Sequence, residues 1–85
     1  MELRFTHSFR KDYRGLSTEL QKLTDKKLIL FLENYHHPSL RIKKMGGFDY
    51  IWEARINRNY RFTFQIDDDT YLIRRVGPHD ILKTP

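Results

Sequence analysis

Cysteine is absent from the 85 residues, which excludes a disulfide framework and any thiolate metal site. A chain without thiols fits a reducing cytosol. No apolar run approaches the ~20 residues that a membrane-spanning helix needs. The opening Met1-Glu2-Leu3-Arg4-Phe5-Thr6 has no signal-peptide hydrophobic core. Glycine and proline are scarce, at 4 and 3 residues, and no repeat, linker or low-complexity stretch is visible. Acidic residues are in deficit, 11 against 16 basic ones, leaving a net charge of +5. What is present is enough for one small domain with a thin core: 39% of the residues are apolar and 14% aromatic. The basic balance suits an acidic partner, either nucleic acid or an acidic protein. Simple solubility is the plain alternative.

Alternation over residues 2–6 suits an opening strand. Thr6 or Ser8 can cap a short helix carrying Phe9, Tyr13 and Leu16, which Gly15 ends. Ser17 or Thr18 starts a second helix, and Thr18 with Gln21 has capping-box spacing. Its buried stripe is expected from Leu20, Leu23, Leu28, Phe31, Leu32 and Tyr35, and Pro38 forces the chain out. Leu40 to Met45 reads as a strand with Leu40 and Ile42 inward and Arg41 and Lys43 outward. The aspartates 67–69 form a polar turn, and Thr70 to Val76 is the last strand. The tail after Gly77-Pro78 is too short for another sizeable element. The order β-α-α-β-β-β-β predicts an α+β fold: an antiparallel sheet with both helices on one face and the other face open.

The segment from Ile51 to Phe64 is the most informative. It alternates as two strands around Asn57-Arg58-Asn59. Trp52, Ala54, Ile56, Tyr60, Phe62 and Phe64 then face inward. A three-residue loop pairs Ile56 with Tyr60, Arg55 with Arg61 and Glu53 with Thr63. Like charges directly opposite each other destabilise a ladder. Such a pair on an open face points to a bound anion, with phosphate the obvious candidate. For the next hairpin the register stays open: a three-residue turn sets Arg61 against Arg75, a two-residue turn against Val76. A one-residue slip changes which of Arg74 and Arg75 shares the open face.

The order of elements, Trp52-x-x-Arg55-Ile56, Tyr60-Arg61 and Arg75-Val76-Gly77-x-His79 together resemble the RelE/ParE superfamily of toxin–antitoxin toxins, in its ribonuclease branch (RelE-, YoeB- and YafQ-like). The resemblance covers nearly the whole chain. It implies a cytoplasmic toxin that cleaves messenger RNA, on the ribosome, by attack of the RNA 2′-hydroxyl, with no metal or other cofactor. It also implies a cognate antitoxin partner and no membrane association. By position, Arg61 matches the family's phosphate-stabilising arginine. Arg55 falls where relatives carry a basic residue or histidine, and His79 where they carry a proposed general acid. Glu53 stands beside them, where some relatives carry lysine. Two features depart from the family: the tail Asp80 to Pro85 contains no aromatic, and Glu53 with Arg55 replaces a lysine pair.

The chemistry needs a base for the hydroxyl proton, cations for the phosphorane oxygens and an acid for the leaving oxygen. Guanidinium forks suit the second task, so Arg55 and Arg61 are the candidates. An imidazole changes charge near neutrality, which suits His79 to the third. Glu53 is the default base, with an ion pair to Arg55 or Arg61 as its plainer role. Arg41, Lys43, Lys44 and Arg75 are candidates for tracking an RNA backbone, or else ordinary solvated cations. His36 and His37 lack a third metal ligand, and Tyr50 and Tyr71 are candidate base stackers. Two rivals follow from the same resemblance: a ParE-like inhibitor of DNA gyrase, and a non-catalytic antitoxin-binding member.

Overall fold

The computed structural model describes residues 1–85. Strand β1 (Glu2–Phe5) packs Leu3 and Phe5 against the core. Thr6 then caps α1 (His7–Arg14) by accepting from the Phe9 N–H at 3.0 Å, while its own hydroxyl donates to the Arg74 carbonyl at 2.6 Å. One side chain thus stops the strand, starts the helix and ties both to the far end of the chain. A cap of this kind is worth about 1 kcal/mol. Gly15 closes α1 in the right-handed region, so its left-handed freedom is not used.

Ser17, rather than Thr18, caps α2 (Thr18–Glu33). The expected capping box does not form. The Gln21 amide donates instead to the Tyr13 carbonyl and fastens the two helices together. Helix α2 buries Thr24, Leu28 and Phe31. Phe31 meets the rings of Phe62, Phe64 and Tyr71 at centroid distances of 5.4, 4.7 and 4.5 Å. Leu32 and Tyr35, expected in the stripe, are exposed. Leu32 is one residue past Phe31 and therefore ~100° around the helix from the sheet.

After α2, Pro38 does more than break the helix. It opens a short 3-10 turn (Pro38–Leu40) whose start is capped by His37. The strand expected over Leu40 to Met45 is corrected accordingly. Leu40 is buried within the turn, Arg41 adopts a left-handed backbone (φ 45°), and β2 is only Lys43–Lys44. The reason is geometric: the chain must swing from the helix layer to the sheet edge, and Pro38 with its fixed φ starts that swing.

The remaining strands are β3 (Trp52–Arg55), β4 (Arg61–Asp67) and β5 (Thr70–Gly77), in a five-stranded sheet of order β1-β5-β4-β3-β2. Strands β2 to β5 form the expected antiparallel meander. Strand β1 joins β5 in parallel, so the sheet is mixed. The helices carry the chain from one edge of the sheet to the other, and the meander returns it beside its start. Phe9 of α1 and Phe31 of α2 share one cluster with Ala54, Phe62, Phe64, Ile73 and Val76, which places both helices over the same face.

The β3–β4 hairpin has the expected register, with Arg55 opposite Arg61 and Glu53 opposite Thr63. Asn57 shapes its loop: Oδ1 accepts from the N–H groups of Asn59 and Tyr60 at 2.9 and 2.8 Å. The β4–β5 hairpin begins in the register of the two-residue turn and leaves it halfway along. Asp67 pairs with Thr70 across a loop of Asp68 and Asp69, then the ladder slips between Thr63 and Phe64. Thr63 pairs with Arg75 and Phe64 with Ile73, so Arg74 is the extra residue of a bulge. Arg61 consequently faces Gly77.

Candidate anion-binding site on the open sheet face

Strand alternation turns Trp52 and Ala54 toward the helices and Glu53 and Arg55 away from them. The cross-strand pairs Lys43–Glu53–Thr63 and Arg55–Arg61 then share the face away from the helices, where the tail covers Thr63. Glu53 lies low between two cations. Its Oε1 is 3.7 Å from Lys43 Nζ and 3.9 Å from Arg61 Nη1, and its side chain is 11% exposed. Both pairs are too long for hydrogen bonds, so the carboxylate offsets charge without satisfying donors. Arg61 Nε is buried and has no hydrogen-bond partner.

These groups line an open recess of about 460 Å³ formed by Arg41, Ile42, Lys43, Glu53, Arg55 and Arg61, four cations against one carboxylate. Arg41, Arg55 and Arg61 bring planar forks that match an oxyanion, and Lys43 adds a point charge. The Arg61 donor goes unmet beside a second guanidinium, and the recess carries positive charge that its single carboxylate does not balance. No cluster of three potential metal ligands exists in the molecule.

The structure brings together Arg41, Lys43, Glu53, Arg55 and Arg61. It separates the other candidates. Lys44 pairs with Trp52 and so projects on the helix side of the sheet. Arg75 is engaged by the protein itself: Nε and Nη2 reach the Asp12 carboxylate at 2.7 and 3.2 Å, and Nη1 reaches the Thr84 carbonyl and hydroxyl at 3.0 and 3.2 Å. The hydrogen bond to Asp12 raises the Arg75 pKa above the ordinary arginine value, against the effect of burial. Arg74 is held by Gln65 and by the Pro85 carbonyl. Thus neither Arg74 nor Arg75 has a free fork on this face.

His79 opens a second 3-10 turn (His79–Lys83), an element too small to be foreseen in the tail. It is exposed, has no hydrogen bond or ion pair, and does not line the recess. It follows by two residues Gly77, the cross-strand neighbour of Arg61. Tyr71 is buried in the core, which raises its hydroxyl pKa and ends its candidacy as a stacker. Tyr50 is fully displayed, at 78% exposure.

Sequence reasoning missed the brace formed by Asp12 with Arg75 and the Val76 N–H. It also missed the tail bonds of Thr63, Arg74 and Arg75 to Thr84 and Pro85. An aspartate on a short helix reads as solvated face, so no local signal marked Asp12.

The fold, a mixed five-stranded sheet with two helices on one face, is shared with solved structures of RelE-type toxins of toxin–antitoxin systems. The fold is similar to that of YafQ from Escherichia coli strain BL21(DE3), with a TM-score of 0.78, 12% identity and coverage of 95% of this chain and 96% of that one. It is similar to a YoeB/ParE toxin from Agrobacterium tumefaciens (TM-score 0.78, 15% identity, 93% and 99% coverage). A chain of the RelB–RelE antitoxin–toxin complex from Methanococcus jannaschii also matches (TM-score 0.75, 22% identity, 94% of each chain). No family model and no curated protein sequence matches the chain. No helix is long and apolar enough to cross a membrane.

Proposed function

We propose that this chain is the toxin of a toxin–antitoxin pair and a metal-independent endoribonuclease that cleaves messenger RNA on the ribosome, in the cytoplasm. The observation that carries the reading is the recess in which Arg55 faces Arg61 above Glu53. In this reading the RNA 2′-oxygen attacks the adjacent phosphorus as its proton leaves. The bond from phosphorus to the 5′-oxygen breaks, and a 2′,3′-cyclic phosphate remains. Arg61 and Arg55 hold the non-bridging oxygens as their charge grows. Glu53 is the carboxylate within reach of the attacking hydroxyl, flanked by the charges of Lys43 and Arg61. His79, free of internal partners, protonates the leaving oxygen once the bound strand extends from the recess to the end of β5. Lys43 and Arg41 guide the strand, and an antitoxin with an acidic toxin-binding segment covers the same charge.

A second reading has its own support. His79 lies outside the recess and the tail lacks an aromatic, which suits a toxin that binds DNA gyrase and performs no RNA chemistry. One experiment separates the two. After induction of the chain in growing cells, transcript 5′ ends are mapped and DNA damage is followed. Cuts at defined codon positions are expected. Intact transcripts accompanied by DNA damage would replace the nuclease with the gyrase reading.

A further inference from the structure

The recess described above has a neighbour. A second hollow of about 520 Å³ is lined by Lys27, Ser39, Arg41, Arg55, Asn57 and Arg58, with Ile56 at its floor. The two hollows share Arg41 and Arg55. The second contains no carboxylate. None of its four cations takes part in any of the molecule's ion pairs, which are Lys43–Glu53, Arg61–Glu53 and Arg75–Asp12. Unpaired cations gathered on one side of a fold repel each other, and an anion placed among them lowers that cost.

The lining is built. Lys27 Nζ donates to Ser39 Oγ at 3.1 Å, and Ser39 Oγ lies 2.8 Å from His37 Nδ1. The Ser39 N–H also points at that nitrogen, at 3.2 Å, so Nδ1 is the acceptor and the serine hydroxyl donates to it. Lys27 is thereby fixed by a neutral partner and keeps its whole charge. Asn57 spends Oδ1 on two backbone N–H groups, which turns its NH₂ into the free end. Arg41 holds a left-handed backbone that non-glycine residues seldom adopt, and this conformation sets it at the junction of the two hollows. The free polar ends in the second hollow are thus all donors. Such a surface fits a fully ionised oxyanion that brings no hydrogen of its own.

We infer that the second hollow is a subsite for the backbone phosphate next to the scissile one, on the same RNA strand. Arg41 and Arg55 bridge the two phosphates, and Lys27 with Arg58 grips the second. The inference rests on the ribonuclease reading and names how its substrate is held: two consecutive phosphodiesters of a single strand.

The test uses the intact chain and 2′-O-methyl oligonucleotides, which cannot be cleaved by 2′-hydroxyl attack. Binding of a dinucleoside monophosphate, with one phosphate, is compared by NMR titration with that of a trinucleoside diphosphate, with two. The trinucleotide is expected to bind more tightly. Lys27→Ala with Arg58→Ala is expected to erase that gain while leaving the dinucleotide within about twofold. The trinucleotide's salt slope should fall by about 0.7, the share of one phosphate on a single strand. Arg58→Glu, on an exposed loop, tests the same point should the double variant fold poorly. Arg61→Ala should weaken both ligands. If the gain survives in the double variant while Arg61→Ala still weakens the dinucleotide, the subsite is wrong and the ribonuclease site stands. If Arg61→Ala changes neither ligand, the ribonuclease reading fails and takes the subsite with it. If the second phosphate gives no gain and hexaglutamate binding depends on Lys27 and Arg58, the hollow serves an acidic protein instead, and the RNA subsite is overturned.

Discussion

Arg61 combines three properties at one position: a buried Nε without a partner, a guanidinium neighbour across the ladder, and a carboxylate 3.9 Å away. Removing its fork should leave the fold intact, because the fork makes no hydrogen bond that the fold needs. Arg61→Ala is therefore expected to lower the cleavage rate by about 10²–10³, the cost of losing one preorganised donor. Its thermal midpoint should stay near that of the parent, and retained growth arrest in this variant would sink the site. His79 makes the opposite case. It is exposed and its side chain makes no hydrogen bond or ion pair, so His79→Ala should slow cleavage and leave RNA affinity nearly unchanged. Equal losses in rate and affinity, measured in single turnovers and by titration, would assign it to strand positioning alone. The pairing of Arg55 with Arg61 was legible in the sequence because alternation and a three-residue loop determine it. The isolation of His79 was not, because two residues after a strand leave direction undetermined.

At the scale of elements, the end of β5 is locked by α1 and by the tail. Asp12 takes two bonds from Arg75 and one from the Val76 N–H. Asp12→Ala leaves the Arg75 guanidinium without its carboxylate and the Val76 N–H without this acceptor, and is expected to cost about 1.5–3 kcal/mol in denaturant unfolding. Gly77 is the second lock. A Cβ there would stand 2.7 Å from Ile81 Cγ2. Gly77→Ala should destabilise by about 1–3 kcal/mol through overpacking, and a further Ile81→Ala should relieve that clash. Between the helices, the Tyr13 hydroxyl donates to Asp25 at 2.8 Å, and that bond, with burial and the carboxylate charge, raises the Tyr13 pKa. The folded state therefore favours the protonated phenol. This contribution is whole below the ordinary tyrosine value of about 10 and is lost as pH rises through the higher folded value. Stability measured from pH 8 to 11 should fall on the alkaline side, and less steeply in Tyr13→Phe. The bulge at Arg74 belongs to this scale too. A polar run of aspartates marks a turn, but the slip that follows depends on where Thr63, Arg74 and Arg75 find partners in the tail.

For the whole molecule, charge decides the partners. A net +5 is displayed mainly where two hollows meet, and one buried carboxylate offsets only part of it. Binding to RNA should weaken as salt rises, with a log–log slope of about −0.7 for each phosphate engaged. A slope near zero would mean that the basic face meets something other than a polynucleotide. An acidic antitoxin segment should compete with RNA for the same face, and competition in a displacement assay checks this directly.

The periodicities of the chain determined most of the architecture by themselves. Alternation specified the β3–β4 pairing, helical spacing specified Phe9 and Phe31 as core, and Pro38 specified the exit from α2. These are local consequences of residue type and backbone geometry. Tertiary structure alone decided the rest. It closed β1 against β5, moved Arg75 from open face to internal brace, and joined Lys27 to Arg58 across a hollow. Each of these depends on residues far apart in sequence, and no local pattern of side chains encodes a distance that only the folded chain defines.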